Sequence, residues 1–174
     1  LQRLRAVRRA VGPNVNIRLD ANEAYRPDQA IRIIKQFEKY DPEFVEEPVK
    51  RWDLKGMARV TRTVDVPISS DESNTTLESV TKIVEMGAAD IINIKVSKNG
   101  GLYLAKKVAA IAEGANIPCI VGGANTYEIG RQASRHFAAS TRATYGFASE
   151  GCSPASQSKI DDITKRFVTY EDIK

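Results

Sequence analysis

The chain has 174 residues and the composition of an ordinary globular protein, with 42% hydrophobic and 28% charged residues. This length suffices for one buried domain but falls short of the about 250 residues that a complete eight-stranded α/β barrel takes. The net charge of +4 comes from scattered basic residues, and no segment approaches the ~20 apolar residues of a membrane span, so we predict neither nucleic-acid binding nor a membrane protein.

The N-terminal segment LQRLRAVRRAVG (1–12) has the pattern of a basic amphipathic helix whose arginines face solvent. It lacks the apolar core of a signal peptide. The two cysteines, Cys119 and Cys152, are expected to be buried or incidental thiols rather than a disulfide. We therefore expect a cytoplasmic protein.

Short apolar runs rich in β-branched residues then alternate with longer amphipathic segments. Six runs are predicted to be strands: VNIRLD (15–20), FVEE (44–47), VPISSD (66–71), DIINIK (90–95), IPCIVG (117–122) and ATYGFA (143–148). Helical patterns lie between them, for instance PDQAIRIIKQFEKY (27–40), TLESVTKIVEMG (76–87) and GLYLAKKVAAIAEG (101–114). The last two patterns end on a glycine that suits a helix C-cap. Strands that alternate with helices predict a parallel sheet with right-handed crossovers.

The predicted strands end at regular intervals, since Asp20, Glu46, Asp71 and Lys95 are separated by 26, 25 and 24 positions. One strand, one helix and two turns take about that many residues. The prediction is an α/β fold, a partial (β/α)8 TIM-type barrel with about six of eight strands, forming a single domain over 1–174. Two N-terminal strands are expected to be missing upstream. A doubly wound open sheet is the rival architecture, but no glycine follows the first strand, where that fold places its phosphate loop.

Three acids stand at three consecutive strand ends: Asp20 in RLDAN, Glu46 in FVEEP and Asp71 in SSDES. The carboxyl ends of barrel strands share one mouth, so these side chains are expected to converge there. Converging carboxylates repel each other unless a cation neutralises them, and all-oxygen ligands suit Mg²⁺, although Mn²⁺ accepts the same set. The alternative for each acid alone is a helix N-cap or a solvated loop residue.

The next strand ends on Lys95, which is costly to bury without a purpose. Near a dication and partly desolvated, its pKa is expected to fall until the neutral amine can accept a proton. Asn93 shares its inward face by strand alternation, and Asn22 lies just past the first acid. Both asparagines are candidate substrate-binding residues, and a plain structural role is the alternative for each.

The motifs LDAN, VEEP, SDES and NIKVSKNGG, taken in this order, resemble the enolase superfamily and in particular its muconate-lactonizing-enzyme subgroup. The resemblance spans nearly the whole chain. It implies that Asp20, Glu46 and Asp71 bind Mg²⁺ and that Lys95 is an acid/base catalyst on one face of the substrate. Glu47 directly follows Glu46, and Glu72 directly follows Asp71, so these two are the alternative ligands.

Two features bear on the subgroup. Related subgroups use a His–Asp pair as base, whereas the one histidine here, His136, lies in a helical pattern and is expected to have a packing role. The lysine subgroup also carries a K-x-K motif on its second strand, and that motif does not occur in these 174 residues. The capping domain of the family is likewise expected to be missing.

The resemblance implies a metal-dependent isomerase that removes a proton alpha to the carboxylate of a small-molecule substrate through an enediolate. We expect a muconate cycloisomerase-like enzyme or an amino-acid-derivative racemase or epimerase, which in this family is commonly a homo-oligomer. The alternatives are an acid-sugar or related dehydratase, and a non-catalytic truncated barrel acting as a remnant or interaction module. A phosphate-binding barrel would need a glycine-rich loop near the seventh or eighth strand, which Gly122 and Gly123 match only weakly.

Overall fold

The computed structural model describes residues 1–123 and 126–144, in which helices and strands alternate. The helices are α1 (Gln2–Val11), α2 (Pro27–Phe37), α3 (Leu54–Thr61), α4 (Leu77–Met86), α5 (Leu102–Gly114) and α6 (Glu128–Ala139). The strands are β1 (Ile17–Asp20), β2 (Pro42–Glu46), β3 (Ile68–Ser70), β4 (Ile91–Ile94) and β5 (Cys119–Val121). Short 3-10 turns cover Glu38–Tyr40 and Arg142–Thr144.

The five strands form one parallel sheet in the order β1-β2-β3-β4-β5, so each strand pairs with its neighbours in sequence. Asp20 at the end of β1 is in register with Glu46 at the end of β2. The sheet is curled into a half-barrel. This arrangement confirms the predicted partial TIM-type barrel, because sequential parallel order with one helix per crossover is what a (β/α)8 barrel requires.

Alternation along the strands divides the sheet into two faces. Val45, Ile92 and Val121 belong to the main hydrophobic cluster, which the helices cover on the convex side. Residues of opposite parity, Phe44 and Ile120 among them, form a separate small cluster on the concave side. Two residues further along each strand, on the same concave face, lie the carboxyl ends of the strands, where polar side chains collect.

Local capping explains where several helices begin and end. The Thr76 side chain accepts a hydrogen bond from the Ser79 N–H at the start of α4, and Gly87 ends that helix with φ 56°. The prediction that Gly114 is a C-cap is wrong: Gly114 is the last residue of α5, and the left-handed residue is Asn116, with φ 57°. The chain leaves the helix there because the Asn side chain tolerates this conformation.

Two further expectations meet the structure at the ends of the described range. The predicted strand 143–148 begins inside the 3-10 turn Arg142–Thr144, and its remaining residues lie outside the described ranges. Cys119 is fully buried in β5, while Cys152 lies outside the described residues. No helix within the described ranges is long and apolar enough to cross a membrane.

Helix α1 is mostly exposed, as its basic pattern predicts, but Arg8 is half-buried. The Arg8 guanidinium donates to the carbonyl oxygens of Tyr40 and Asp41, each at 2.9 Å, and to those of Gly12 and Val15. Five donors on one planar group can satisfy several carbonyls at once. Arg8 therefore fastens α1 to the turn that precedes β2.

Candidate active site

Strand parity brings the predicted site residues to one edge of the concave face. Asp20 and Glu46 are the last residues of β1 and β2, while Asp71 and Lys95 directly follow β3 and β4. Asn93 lies one pleat before Lys95 and faces the same way. All five therefore lie at the carboxyl ends of parallel strands, the end of a barrel at which active sites form.

Glu46 and Asn93 form the buried centre of this group. The Asn93 amide donates to Glu46 Oε1 at 2.8 Å, and the two side chains are 47 residues apart in sequence. Burial, together with the hydrogen bond and charge of Asp71, raises the pKa of Glu46 to about 8. Asp20 adds to this repulsion. The charged form of Glu46 is therefore unfavourable here, chiefly because the group is buried, and a nearby positive charge would stabilise it.

Lys95 and Lys98 both donate to the side chain of Asp71. Lys95 Nζ donates to Asp71 Oδ2, and Lys98 Nζ donates to Asp71 Oδ1 at 2.6 Å. Lys98 also donates to the main-chain carbonyls of Asp71 at 2.6 Å and of Asn93 at 3.1 Å. The ammonium of Lys98 is therefore saturated with three acceptors, and burial and the charge of Lys95 lower its pKa.

The ammonium group of Lys95 makes fewer hydrogen bonds than that of Lys98. Besides Asp71, its nearest carboxylate oxygen is Glu46 Oε1 at 4.0 Å, and its side chain stays 22% exposed. Burial lowers its pKa, but the hydrogen bond and charge of Asp71 outweigh burial, so the pKa of Lys95 is raised. Here the Asp71 carboxylate stabilises the ammonium form more than desolvation destabilises it. The expected fall of this pKa refers to a site that holds a dication, and it stays a prediction.

Asp20 and Asn22 lie at the exposed edge of this cluster. Asp20 is exposed, and its Oδ1 accepts a hydrogen bond from the main-chain N–H of Asn22 at 2.9 Å. Asn22 is itself exposed, with φ 44°. Within the described ranges, no group of three or more His, Cys, Asp or Glu side chains is arranged to hold a metal ion. The structure thus brings together Glu46, Asp71, Asn93 and Lys95, with Asp20 exposed at the edge of the group.

The donor set nevertheless suits a hard divalent cation. Asp20 and Glu46 are partners in the parallel register, which places their backbones about 4.8 Å apart. The Asp20 side chain is exposed and can rotate toward Glu46 without leaving a buried gap. A cation at this edge would offset the burial and the neighbouring carboxylate charges that raise the pKa of Glu46. The residues present therefore fit Mg²⁺ or Mn²⁺.

Two buried asparagines join the loops that carry Asp71 and Lys95. The Asn74 amide donates to Ser70 O at 2.8 Å and to Asn93 O at 3.0 Å. The Asn99 amide donates to Asn74 O at 2.7 Å, and its Oδ1 accepts from the Lys95 N–H at 3.1 Å. These bonds fix the main chain around Asp71 and Lys95, because each one satisfies a buried backbone group.

Sequence reasoning missed Lys98, Asn74, Asn99 and Gly122 as parts of this site. Gly122 follows β5, and a Cβ there would lie 2.8 Å from both Asn93 Nδ2 and Lys95 Cε. The spacing of Lys98, three residues after Lys95 in a turn, is a signal that places both ammonium groups near the same strand end. The asparagines carry no comparable signal, because their partners lie on other loops.

The fold and the site define a class: a parallel α/β barrel with carboxylates and a lysine at its strand ends. Comparison with known proteins agrees with this class. The family model described as enolase C-terminal domain-like matches residues 1–173. The chain belongs to this family, within the mandelate racemase/muconate lactonizing part of the enolase superfamily.

Several relatives with assigned activities are epimerases. The chain is 41% identical over 143 residues to the hydrophobic dipeptide epimerase of Enterococcus faecalis and 38% identical over 144 residues to the L-Ala-D/L-Glu epimerase of Clostridium acetobutylicum. Each match covers 82% of this chain and 40% of the relative. The chain therefore spans about two-fifths of the length of these curated relatives.

A solved structure extends the similarity to three dimensions. The Enterococcus faecalis dipeptide epimerase in complex with Mg and the dipeptide L-Leu-L-Tyr superposes with a TM-score of 0.80 at 40% identity. The match covers 82% of this chain and 40% of that one. The half-barrel of this chain thus has the fold of the corresponding part of that enzyme.

Proposed function

We propose that the protein containing this chain is a Mg²⁺-dependent dipeptide or amino-acid-derivative epimerase. Within the wider isomerase prediction from sequence, the relatives favour epimerisation or racemisation. The observation that carries the proposal is the Lys95 ammonium on Asp71 at the strand ends, 4.0 Å from Glu46. This places a proton carrier beside the carboxylates that suit the cation.

The residues Asp20, Glu46 and Asp71 would hold Mg²⁺. When bound, Mg²⁺ supplies positive charge that stabilises the enediolate formed as the alpha proton of a carboxylate substrate is lost, a pattern known for enolase-superfamily sites. The three ligands stand on three consecutive strand ends, so the barrel frame and not a flexible loop sets their spacing.

Lys95 would carry the proton at Nζ. Its main-chain N–H is fixed by Asn99 Oδ1, so only the side chain moves between Asp71 and the pocket. Once the charge of Asp71 is compensated, the burial that lowers the pKa of Lys95 acts with less opposition, which favours the neutral amine. Epimerisation also needs a proton donor on the opposite face, a role that the family resemblance gives to the K-x-K motif.

Asn93 and Asn22 would serve the site in different ways. The Asn93 amide holds Glu46 Oε1 at 2.8 Å and thereby fixes the direction of a metal ligand. Asn22 is exposed beside Asp20 at the mouth, where its side chain can hydrogen-bond a substrate. We propose a substrate-contacting role for Asn22 and a shared role, in ligand orientation and substrate contact, for Asn93.

The test follows alpha-proton exchange in the full-length protein. Dipeptides and N-acylated amino acids are incubated in D₂O with Mg²⁺, and loss of the alpha-proton signal is followed by NMR. Lys95→Arg keeps the positive charge but gives a group that does not deprotonate, so epimerisation should be abolished while Mg²⁺ binding persists. Exchange should be lost for the epimer whose alpha proton faces Lys95. Lys82→Arg, on the exposed surface of α4, is the matched control.

Each alternative predicts a different result. Loss of water from acid-sugar substrates without exchange into dipeptides would favour the dehydratase. A folded full-length protein that neither binds Mg²⁺ nor exchanges any alpha proton would support the non-catalytic alternative and refute the proposal.

A further inference from the structure

Glu47 is a fully buried carboxylate for which the proposed reaction has no role. It directly follows the ligand Glu46, but its side chain turns into the loop after β3. Glu47 Oε2 accepts from the main-chain N–H of Asp71 at 2.6 Å, from the Ser73 N–H at 3.3 Å and from Ser73 Oγ at 2.9 Å. Burial raises the pKa of Glu47 to about 7, and a carboxyl group so deeply buried is retained only if its hydrogen bonds compensate for lost solvation.

The main chain of Glu47 makes two more connections. Its N–H donates to Ser69 O at 2.9 Å, and its carbonyl accepts from the Glu23 N–H at 2.8 Å. Its φ of 34° lies in the left-handed region, where a residue with a Cβ needs surrounding bonds to be held. Glu47 is thus bonded to β3 and to the loops that follow β1 and β3. Together with its own strand, β2, it connects the three strand ends that carry the proposed Mg²⁺ ligands.

We infer that Glu47 is a positioning residue that fixes the metal ligand Asp71 by holding its main-chain N–H. The inference rests on the proposed Mg²⁺ site. A carboxylate is aimed by its own backbone, so an N–H held at 2.6 Å sets the point from which the Asp71 side chain projects. Lys95 and Lys98 then hold its two oxygens. Glu47 therefore orients the main chain of Asp71, while the two lysines orient its carboxylate.

The contacts argue against Glu47 as a ligand itself. Its Oε2 already accepts three hydrogen bonds from the loop after β3, which direct the carboxyl group into that loop. An effect of Glu47 on metal affinity should therefore depend on where its oxygen lies and not on its charge.

Two variants separate position from charge. Glu47→Gln keeps a carbonyl oxygen at the same reach but removes the charge. Glu47→Asp keeps the charge but is one methylene shorter and cannot reach the Asp71 N–H. Both are made in the full-length protein, with Glu85→Gln on the exposed surface of α4 as the control. Mg²⁺ and Mn²⁺ affinities are measured by calorimetry, and hydrogen exchange reports the protection of the Asp71 N–H.

Glu47→Asp should weaken Mg²⁺ binding about tenfold or more and expose the Asp71 N–H to exchange, whereas Glu47→Gln should stay within about threefold of the wild type. An aspartate variant that binds as tightly as the wild type overturns the inference. A glutamine variant that loses as much as the aspartate variant also overturns it, because charge would then be the cause. If Glu47→Asp does not fold, the glutamine variant decides: retained affinity and protection support the inference, and loss of either overturns it.

These outcomes are distinct from a failure of the proposed function. A wild-type full-length protein that binds neither cation overturns the proposed function and this inference with it. If the wild type binds a cation and both variants bind it with the same affinity, the inference is overturned but the proposed function is not.

Discussion

Replacing Gly122 by alanine tests whether the candidate active site has room for one more methyl group beside Asn93 and Lys95. Gly122 follows β5, opposite Asn93 and Lys95 on the concave face. A Cβ there would lie 2.8 Å from Asn93 Nδ2 and from Lys95 Cε, and closer still to Asn93 Oδ1. The residue has no unusual backbone conformation that alanine could not adopt, so the effect comes from space alone.

The size of the effect follows from these distances. Ordinary contacts with a carbon atom need about 3.5 Å, so Asn93 and Lys95 must move by about 0.7 Å or more. Overpacking of this kind costs about 1–3 kcal/mol of folding free energy. Moving Asn93 also loosens its 2.8 Å hydrogen bond to Glu46. A displacement of about 1 Å at a catalytic group can lower a rate about a hundredfold, and we expect a loss of that order.

The assay is alpha-proton exchange in D₂O by the full-length protein, with urea unfolding measured in parallel. Gly114→Ala is the matched control, because a Cβ there meets nothing within 4 Å. Because Gly114 lies in helix α5, Gly114→Ala should leave the rate unchanged and raise stability by up to about 1 kcal/mol. A Gly122→Ala protein that exchanges within about threefold of the wild type, while the wild type is active, would refute the packing argument.

Three further predictions concern stability and reactivity. Thr76→Ala should lower the free energy of unfolding in urea by about 1 kcal/mol, because it removes the side-chain acceptor for the Ser79 N–H at the start of α4. Arg51 lowers the pKa of Glu23 to about 2, so the stabilisation from this pair is fully present above the unfolded-state pKa of 4.5 and is lost as pH falls toward 2. Since Arg51 is 54% exposed, Glu23→Gln should cost at most about 1 kcal/mol at neutral pH, and urea titrations should show this difference disappearing in acid. Burial raises the pKa of Cys119 to about 12, so in a Cys152→Ser protein alkylation should be slow until unfolding.

Each of these has a control that isolates its cause. Thr81→Ala, further along α4, removes no cap and should leave stability unchanged or slightly raised. Arg51→Gln should reproduce the pH dependence of Glu23→Gln, and the double variant should add little; independent effects would contradict a pair. Rapid alkylation of Cys119 in native buffer, at the rate of the unfolded chain, would contradict its burial.

The order of elements was predictable because each repeat carries its own pattern. Five apolar runs became β1 to β5, and the spacing of Asp20, Glu46, Asp71 and Lys95 predicted that they share one edge. Strand alternation also predicted that Asn93 faces the same way as Lys95. These features depend on local periodicity, on the parallel crossover and on the common direction of the strands, all of which are readable from a single chain.

The family was also within reach of sequence, because four short motifs in order carry more information than any one of them. The family match confirms that prediction. The cytoplasmic setting, the homo-oligomer and the extent of the domain stay predictions.

Only the tertiary structure decided which polar groups meet. Lys98 and Lys95 both reach Asp71, Glu47 turns away from its neighbour Glu46, and Gly122 leaves space for side chains of β4. It also showed that Asp71 raises the pKa of Lys95, because the hydrogen bond and charge of this carboxylate outweigh burial. The physical reason is that these contacts join residues 24 to 47 positions apart across different repeats, at distances that side-chain packing sets. A sequence pattern fixes the face and the end of a strand on which a residue lies, whereas the partner it binds there depends on how the loops of neighbouring repeats pack together.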